Sequence, residues 1–261
     1  MNLQLDNTIA LVTGATSGIG LAIARRLATE GAEAIITGRN PMRLDRAVDS
    51  IRATRSGSVR GVLADAGTAE GADIILRAVP RVDILVNNLG IYEAKEFTAI
   101  TDDDWRRIFE VNVLGGIRLA RAYFPGMLER DAGRIIFVSS ESALNTPVEM
   151  VHYGMTKTAQ LAVARGLAEL TKGTRVTVNS VLPGPTRSDG VAELLRNMAP
   201  GVPTEQVEAE FIAKFRPASL LQRMIDPDEV ASLVAYLASP LSSATNGAAV
   251  RVDGGVISTL A

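Results

Sequence analysis

Gly14, Gly18 and Gly20 stand between a short apolar run, Thr8–Thr13 (TIALVT), and a stretch whose apolar residues Ile19, Ala22, Ile23 and Leu27 recur at helical spacing. Arg25, Arg26 and Glu30 take another face of that stretch, and Gly31 marks its end. A buried strand that turns through glycines directly into an amphipathic helix fits few folds. The first glycine lets the chain turn sharply, and the others let the backbone approach a pyrophosphate at the positive helix end. The spacing is G-x-x-x-G-x-G with Thr13 ahead of it, rather than G-x-G-x-x-G. A glycine-rich turn that binds nothing would look the same in isolation, so the rest of the chain has to decide.

The remainder of the chain repeats the pattern. Ala34–Thr37, Val59–Leu63, Val82–Asn87, Arg134–Ser139, Arg175–Leu182 and Ala248–Val252 read as further strands. Helical patterns lie over Pro41–Thr54, Thr68–Ala78, Asp102–Glu129, Met150–Thr171 and Pro227–Ala238. Short apolar strands alternating with amphipathic helices predict βαβ units and a parallel sheet covered on both faces. Pro185–Gln222 breaks the alternation, with Pro185, Pro200, Pro203 and Pro217 interrupting any periodicity. It reads as a substrate lid within one domain spanning 1–261, and no strand is expected in it.

Composition narrows the function. The 261 residues are 47% hydrophobic, enough for a sizeable core. Lys and Arg total 27 against 29 Asp and Glu, a net charge of −2, which lacks the basic excess of a nucleic-acid binder. There is no cysteine, which excludes disulfides, thiolate catalysis and zinc-thiolate sites; no metal is expected. Met1–Thr8 shows no basic segment followed by a long apolar stretch, and no run approaches the roughly 20 apolar residues of a membrane span. A soluble, cytoplasmic protein with no membrane partner is expected.

The chemistry is carried by Tyr153-(x)3-Lys157, with Ser140 thirteen positions before the tyrosine. Residues four apart on a helix share a face. A phenol with its ordinary pKa of about 10 is a poor acid or base near neutrality. Lowering it by two to three units requires roughly 3–4 kcal/mol of preference for the phenolate. A cation about 4 Å away at an effective dielectric near 20 supplies on the order of 4 kcal/mol, so Lys157 alone is expected to suffice. Ser139 is close to Ser140 in composition, but the offset favours Ser140, and strand alternation turns its neighbour to the other face. His152, the only histidine, is read as structural or as part of the substrate rim. Glu141, Asn145 and Glu149 either line the substrate mouth or form a polar loop facing water. Asp253-Gly254-Gly255 reads as a turn near a subunit contact.

The second strand ends Thr37-Gly38-Arg39-Asn40, with no carboxylate for a ribose 2′-hydroxyl. A guanidinium suits a 2′-phosphate, so NADP(H) is preferred, with NAD(H) possible if Arg39 is only a solvated loop charge.

Taken in order, Thr13-Gly14-(x)3-Gly18-Ile19-Gly20, Asn87-Asn88-x-Gly90, Asn112, Ser140, Tyr153-(x)3-Lys157 and Pro183-Gly184 resemble the single-domain branch of the short-chain dehydrogenases/reductases over nearly the whole chain. The resemblance implies a Rossmann-type, doubly wound, seven-stranded α/β sheet, hydride transfer between a nicotinamide cofactor and a carbonyl, and a homotetramer. It implies Tyr153 as general acid in reduction, Lys157 on the nicotinamide ribose, Ser140 on the substrate oxygen and Asn112 anchoring a proton-relay water. It further implies cofactor contacts at Gly14, Thr16, Ser17, Gly18, Ile19, Gly20, Arg39, Asp65, Ala66, Asn87, Gly90, Tyr153, Lys157, Pro183, Gly184 and Thr186. Leu89 departs from the family's usual alanine; it either repacks the core or crowds the adenosine ribose. Gly38 departs from the acidic residue of NAD-using members.

The expected reaction is therefore NADPH-dependent reduction of a small-molecule ketone, or the reverse oxidation. Leu194, Leu195, Met198, Phe211, Ile212, Phe215, Leu220 and Leu221 in the lid suggest an apolar or amphipathic ketone, unless they merely pack the lid. A 3-oxoacyl thioester is the rival substrate, with Arg130 and Lys172 as candidates for touching an acidic carrier protein. A dinucleotide-binding sensor without turnover is the alternative of another class, and retention of Ser140, Tyr153 and Lys157 together argues against it.

Overall fold

The structure is a computed structural model describing residues 2–54, 57–188, 191 and 202–260. β1 (Ile9–Val12), β2 (Glu33–Gly38), β3 (Ser58–Leu63), β4 (Ile84–Asn87), β5 (Gly133–Val138), β6 (Val176–Pro183) and β7 (Ala249–Val252) form one sheet, ordered β3-β2-β1-β4-β5-β6-β7. Every pairing is parallel. This is the parallel sheet expected from the alternation, in the doubly wound, seven-stranded form that the resemblance implies.

The strands alternate which face they serve. Ala10 and Val12 of β1, with Ile36 and Val86, join one core with α1 (Gly18–Thr29), α2 (Pro41–Arg52) and α8 (Pro227–Ala238). Leu11, Ile35, Leu85 and Phe137 point the other way, onto α3 (Ala69–Ala78), α5 (Gly115–Glu129) and α6 (Val151–Glu169). Fully buried side chains such as Leu11, Ile36 and Leu119 are each worth about 1.5–3 kcal/mol of apolar transfer, which fixes the register on both faces.

Local signals set the helix starts. Asn40 Oδ1 accepts from the Arg43 N–H at 3.0 Å ahead of Pro41, and Thr68 caps α3. Thr101 and Asp104 close a reciprocal capping box at α4 (Asp102–Phe109).

The expected single helix Asp102–Glu129 is interrupted. Between α4 and α5, Glu110–Leu114 forms a π-helical turn, a feature that a 3.6-residue pattern cannot show. The two glycines beyond it explain the close packing there. A Cβ on Gly115 would stand 2.7 Å from the Ala66 carbonyl oxygen, and one on Gly116 would meet Phe137 at 3.2 Å.

Of the 185–222 segment, α7 (Thr204–Phe215) follows Pro203 and packs Val207 and Ile212 inward. A single parallel bridge, Thr186–Ile225, ties its base down, a pairing the sequence pattern does not signal. Leu194, Leu195 and Met198 lie outside the described residues. Among those described, no helix is long and apolar enough to cross a membrane.

Candidate active site

The strand order reverses between β1 and β4, and the carboxyl ends of these neighbours open a crevice of the kind that takes ligands in parallel sheets. Both exits are glycine loops, clipped together by Asn88. Its Nδ2 donates to the Thr13 carbonyl (2.9 Å) and the Gly14 carbonyl (3.1 Å), while the Asn88 and Leu89 N–H groups donate to Thr13 Oγ1. Gly14 and Gly18 have φ of 62° and 54°, in the left-handed region. A Cβ on Gly20 would stand 2.5 Å from Asn88 Nδ2. Leu89 packs against Gly14 and the second core, which is the repacking alternative for that departure.

Ser17 stands at the N-cap of α1 without capping it, and the first turn holds no acidic residue. Among the described residues, no carboxylate or hydroxyl side chain takes the first N–H groups of the helix, which leaves them open to an anion. Gly31, at φ 100°, ends α1 in keeping with its place after the last periodic residue.

Ser140, Tyr153, Ile19, Pro183, Gly184 and Thr186 line one cavity of about 220 Å³ at this end of the sheet. Ser140 lies just beyond β5, its Oγ accepting the Ser142 N–H at 3.1 Å, which leaves the hydroxyl proton to donate elsewhere. The Ser140 side chain acts on the Tyr153 phenol and pulls its pKa down. Ser139 also lines this cavity, but its hydroxyl donates to the Lys157 carbonyl at 2.9 Å.

Lys157 is buried one turn along α6 from Tyr153, its Nζ 5.6 Å from the phenol ring centroid. The ammonium spends its hydrogen bonds on the Val138 carbonyl (3.0 Å) and on Gln160 Oε1 (3.4 Å). Burial pushes Tyr153 up to about 12, against the pull of the Ser140 side chain, and burial pushes Lys157 down to about 8. This corrects the expectation that one lysine suffices to acidify the phenol. Desolvation outweighs a cation that sits beside the ring and is itself short of water.

Asn112, within the π-helical turn, is fully engaged. Its Oδ1 accepts the Ile91 N–H at 2.7 Å, and its Nδ2 donates to the Ile91 carbonyl at 2.9 Å and Thr156 Oγ1 at 3.0 Å. Its backbone carbonyl accepts Gln160 Nε2 at 2.5 Å. The amide of Gln160 thus joins Lys157 to Asn112. Gly90 leaves the space that this arrangement needs, since a Cβ there would sit 3.3 Å from Lys157 Nζ.

At the far end of the crevice, Arg39 is largely exposed, with Nη1 3.7 Å from Asp65 Oδ2. Asp65 Oδ1 holds the Gly67 N–H at 3.0 Å, and Ala66 is buried behind it. Any side chain on Gly38 would collide with the Thr16 methyl, which is a structural reason for glycine where a carboxylate would read a ribose. Asn87 is buried below the crevice and turns its amide to the Gly116 carbonyl at 3.4 Å.

The substrate side of the cavity is mixed. Tyr92, Met150, Phe211, Phe215 and Met224 supply apolar wall, and Glu141, Glu149 and Arg216 supply charge. Glu141 is buried and paired to Arg216, Oε1 to Nε at 2.8 Å. Leu220 and Leu221, counted among the apolar lid residues, instead cover Gly255 and Gly254 outside this wall. Asn145 is absent from the lining. Gln160 and Arg216 join the site without having been singled out by sequence pattern, and Asn88, quoted within the Asn87-Asn88-x-Gly90 motif, had been given no role of its own. Gln160 had a signal, a polar side chain three residues after Lys157 between apolar neighbours; Arg216 had none beyond closing a helix that ends in phenylalanine.

His152 lies under α4, fully buried, its ring edge-on to Trp105 at 5.8 Å, and outside the cavity. Asp253 caps its own turn, Oδ1 to Gly255 N–H and Oδ2 to Ile257 N–H, both at 3.1 Å. Arg130 follows α5 and donates to the Val82 carbonyl at 3.0 Å. Lys172 follows α6, so both basic residues sit at the amino-terminal edge of the strands, opposite the cavity.

The family model for short chain dehydrogenase matches residues 8–199. The chain is 49% identical over 260 residues to "Uncharacterized oxidoreductase YvaG" of Bacillus subtilis (strain 168), covering 98% of both chains. It is 31% identical over 260 residues to the 3-oxoacyl-[acyl-carrier-protein] reductase FabG of Aquifex aeolicus (strain VF5), covering 98% of this chain and 100% of that one. Among solved structures, L-sorbose reductase from Gluconobacter frateurii, complexed with NADPH and L-sorbose, superposes with a TM-score of 0.92 at 29% identity over 100% of both chains.

Proposed function

The chain belongs to the short-chain dehydrogenase family and is an oxidoreductase of CH–OH and C=O groups; from that premise we propose that it reduces a small ketone with NADPH, Tyr153 acting as the acid. The observation that carries this is the convergence of Ser140 and Tyr153 on one cavity, with Lys157 buried directly behind the phenol.

The crevice suits the cofactor. The open N-terminus of α1, the left-handed Gly14 and Gly18, and the side-chain-free approach at Gly20 suit a pyrophosphate. Arg39 would take a 2′-phosphate, Asp65 and Ala66 would flank the adenine, and Lys157 would hold the nicotinamide ribose. Pro183, Gly184 and Thr186 would close over the carboxamide. When bound, the cofactor supplies the hydride.

Ser140 donates to the carbonyl oxygen, where charge builds in the transition state. Tyr153 gives that oxygen its proton and, in the oxidative direction, takes it back. Asn112 and Gln160 hold Lys157 where its ammonium faces the phenol. An ammonium brought into use on the ribose side is what would lower the phenol from its high resting value.

A 3-oxoacyl thioester is the second reading, favoured by the relative from Aquifex aeolicus, and weakened by the position of Arg130 and Lys172. Initial rates of NADPH consumption on an acetoacetyl thioester against a panel of free ketones separate the two. Turnover of free ketones alone supports reduction of a small ketone; turnover of the thioester alone overturns it. A homotetramer is the assembly proposed, and sedimentation as a monomer would remove it.

A further inference from the structure

The turn that carries Ser140 is tied to the carboxyl end of α7 by a buried ion pair. Glu141 directly follows Ser140 and is 3% exposed; Arg216 directly follows α7 and is 8% exposed. Arg216 Nε donates to Glu141 Oε1 at 2.8 Å. The guanidinium is fixed from two further sides, since Nη1 donates to the Phe215 carbonyl at 2.7 Å and lies 3.7 Å from Glu149 Oε1. The Ser142 side chain acts on the carboxylate as well. Both partners of the pair line the cavity that holds Ser140 and Tyr153.

Stability alone is a weak reason for such a pair. Desolvating two charges costs several kcal/mol, and apolar residues of similar volume often serve a fold as well. The reaction supplies a better reason. Negative charge builds on the substrate oxygen beside Ser140, and Tyr153 must carry it as a phenolate to take a proton in the oxidative direction. An isolated carboxylate one residue from Ser140 would oppose both, and in a buried wall little water screens it. Arg216 cancels that charge. Its sign also suits the phenol: Glu141 and Tyr92 push the Tyr153 pKa up, and Arg216 pulls it down. Among the described residues, the other charged neighbours are Lys157 beside the phenol ring, Asp253 after β7 acting on Glu141, and Glu149 before α6 facing Arg216.

We propose that Arg216 is a positioning residue for the reaction: from the end of α7 it holds and neutralises Glu141, which fixes the Ser140 turn and keeps net negative charge away from the reacting oxygen. Arg216 acts through Glu141, and no contact with the substrate is assigned to it. This role rests on the carbonyl–alcohol reading above and adds a residue to Ser140, Tyr153 and Lys157. It makes the charge balance of the site depend on α7 being in place, and it accounts for a buried carboxylate directly after the serine.

The test reads the phenol itself and needs no substrate. Full-length protein labelled with carbon-13 at the tyrosine Cζ is titrated with alkali in excess NADP⁺ and followed by NMR; Tyr153→Phe identifies the Tyr153 signal. A phenol ionises far above the carboxylate range, so Glu141 is charged throughout and the two single variants carry opposite signs. Glu141→Gln should lower the Tyr153 midpoint by at least about half a pH unit, and Arg216→Met should raise it by at least as much. The double variant should fall between them, and Arg216→Lys, which keeps a cation, should stay nearer wild type than Arg216→Met. Arg216→Met strands a buried carboxylate. Should it not fold, the double variant set against Glu141→Gln reads the same loss of the cation, and its midpoint should be the higher. Shifts of one sign, or midpoints that coincide, overturn the proposal; so does a phenol that stays protonated up to unfolding in every variant. Coincident midpoints in an active enzyme would remove only the role of Arg216. Opposite shifts in a protein that turns over no ketone or thioester would remove the reaction reading, and that role with it.

Discussion

The ammonium of Lys157 lies 5.6 Å from the Tyr153 ring centroid, yet its hydrogen bonds run away from the phenol, to the Val138 carbonyl and Gln160. In this arrangement both groups are held far from their ordinary protonation equilibria, the tyrosine near 12 and the lysine near 8. Burying the lysine should therefore cost the cofactor-free protein stability.

Lys157→Met tests that cost. The folded-state pKa of Lys157 is depressed to about 8 from 10.5. Below pH 8 the group is charged in both states and the penalty is fully present. As pH rises from 8 towards 10.5 the folded state has shed its proton, the unfolded state still binds one, and wild-type stability recovers by up to about 3 kcal/mol. Denaturant unfolding without cofactor should show the variant's relative stability declining across that window. A difference independent of pH would contradict the shift.

Gln160→Leu breaks one of the two hydrogen-bonded links between α6 and the π-helical turn, the other being Asn112 Nδ2 to Thr156 Oγ1. The Asn112 carbonyl is left buried without its donor, for a loss of roughly 1–3 kcal/mol. In a chain of 261 residues that corresponds to a fall in Tm of roughly 2–10 °C. NADPH affinity should weaken alongside, read by fluorescence titration. A variant as stable as wild type, with unchanged affinity, would make Gln160 a bystander.

His152 contributes a different pH dependence. Burial lowers its folded-state pKa, and among the described residues neither ring nitrogen has a hydrogen-bond partner. The contribution to stability is present above the unfolded value of about 6.5 and is lost as pH falls through and below it. His152→Phe should flatten the fall in Tm between pH 7 and pH 5. A steeper fall in the variant would contradict the sign.

Two neighbouring positions separate cofactor choice from loop packing. Arg39→Asp should raise the KM for NADPH at least about tenfold relative to NADH, since a carboxylate replaces a cation at the 2′-phosphate. An unchanged preference would refute that role. Gly38→Asp should weaken both cofactors, because its side chain displaces Thr16 from the glycine loop.

Much of this was legible in the sequence, for physical reasons. The alternation of apolar runs fixes which strands face which helices, and Gly14, Gly18 and Gly20 mark where the chain must turn. Spacing places Ser140, Tyr153 and Lys157, since four residues on a helix leave little freedom. The balance between burial and charge was not legible, because desolvation of Tyr153 and Lys157 depends on strands far away in sequence. Nor was the pairing of Glu141 with Arg216, which lie 75 residues apart and meet only when α7 folds over the cavity. The π-helical turn at Asn112 escaped because it violates the periodicity by which helices are recognised.

Tyr153→Phe puts the central claim at most direct risk. The ring keeps its packing against Tyr92 and loses only the hydroxyl that Ser140 meets. NADPH titrated by fluorescence should bind within about threefold of wild type, while kcat on a ketone substrate falls by at least about a hundredfold, the lower range for a positioned acid. Turnover within tenfold of wild type, with the cofactor bound, would contradict proton transfer by this residue.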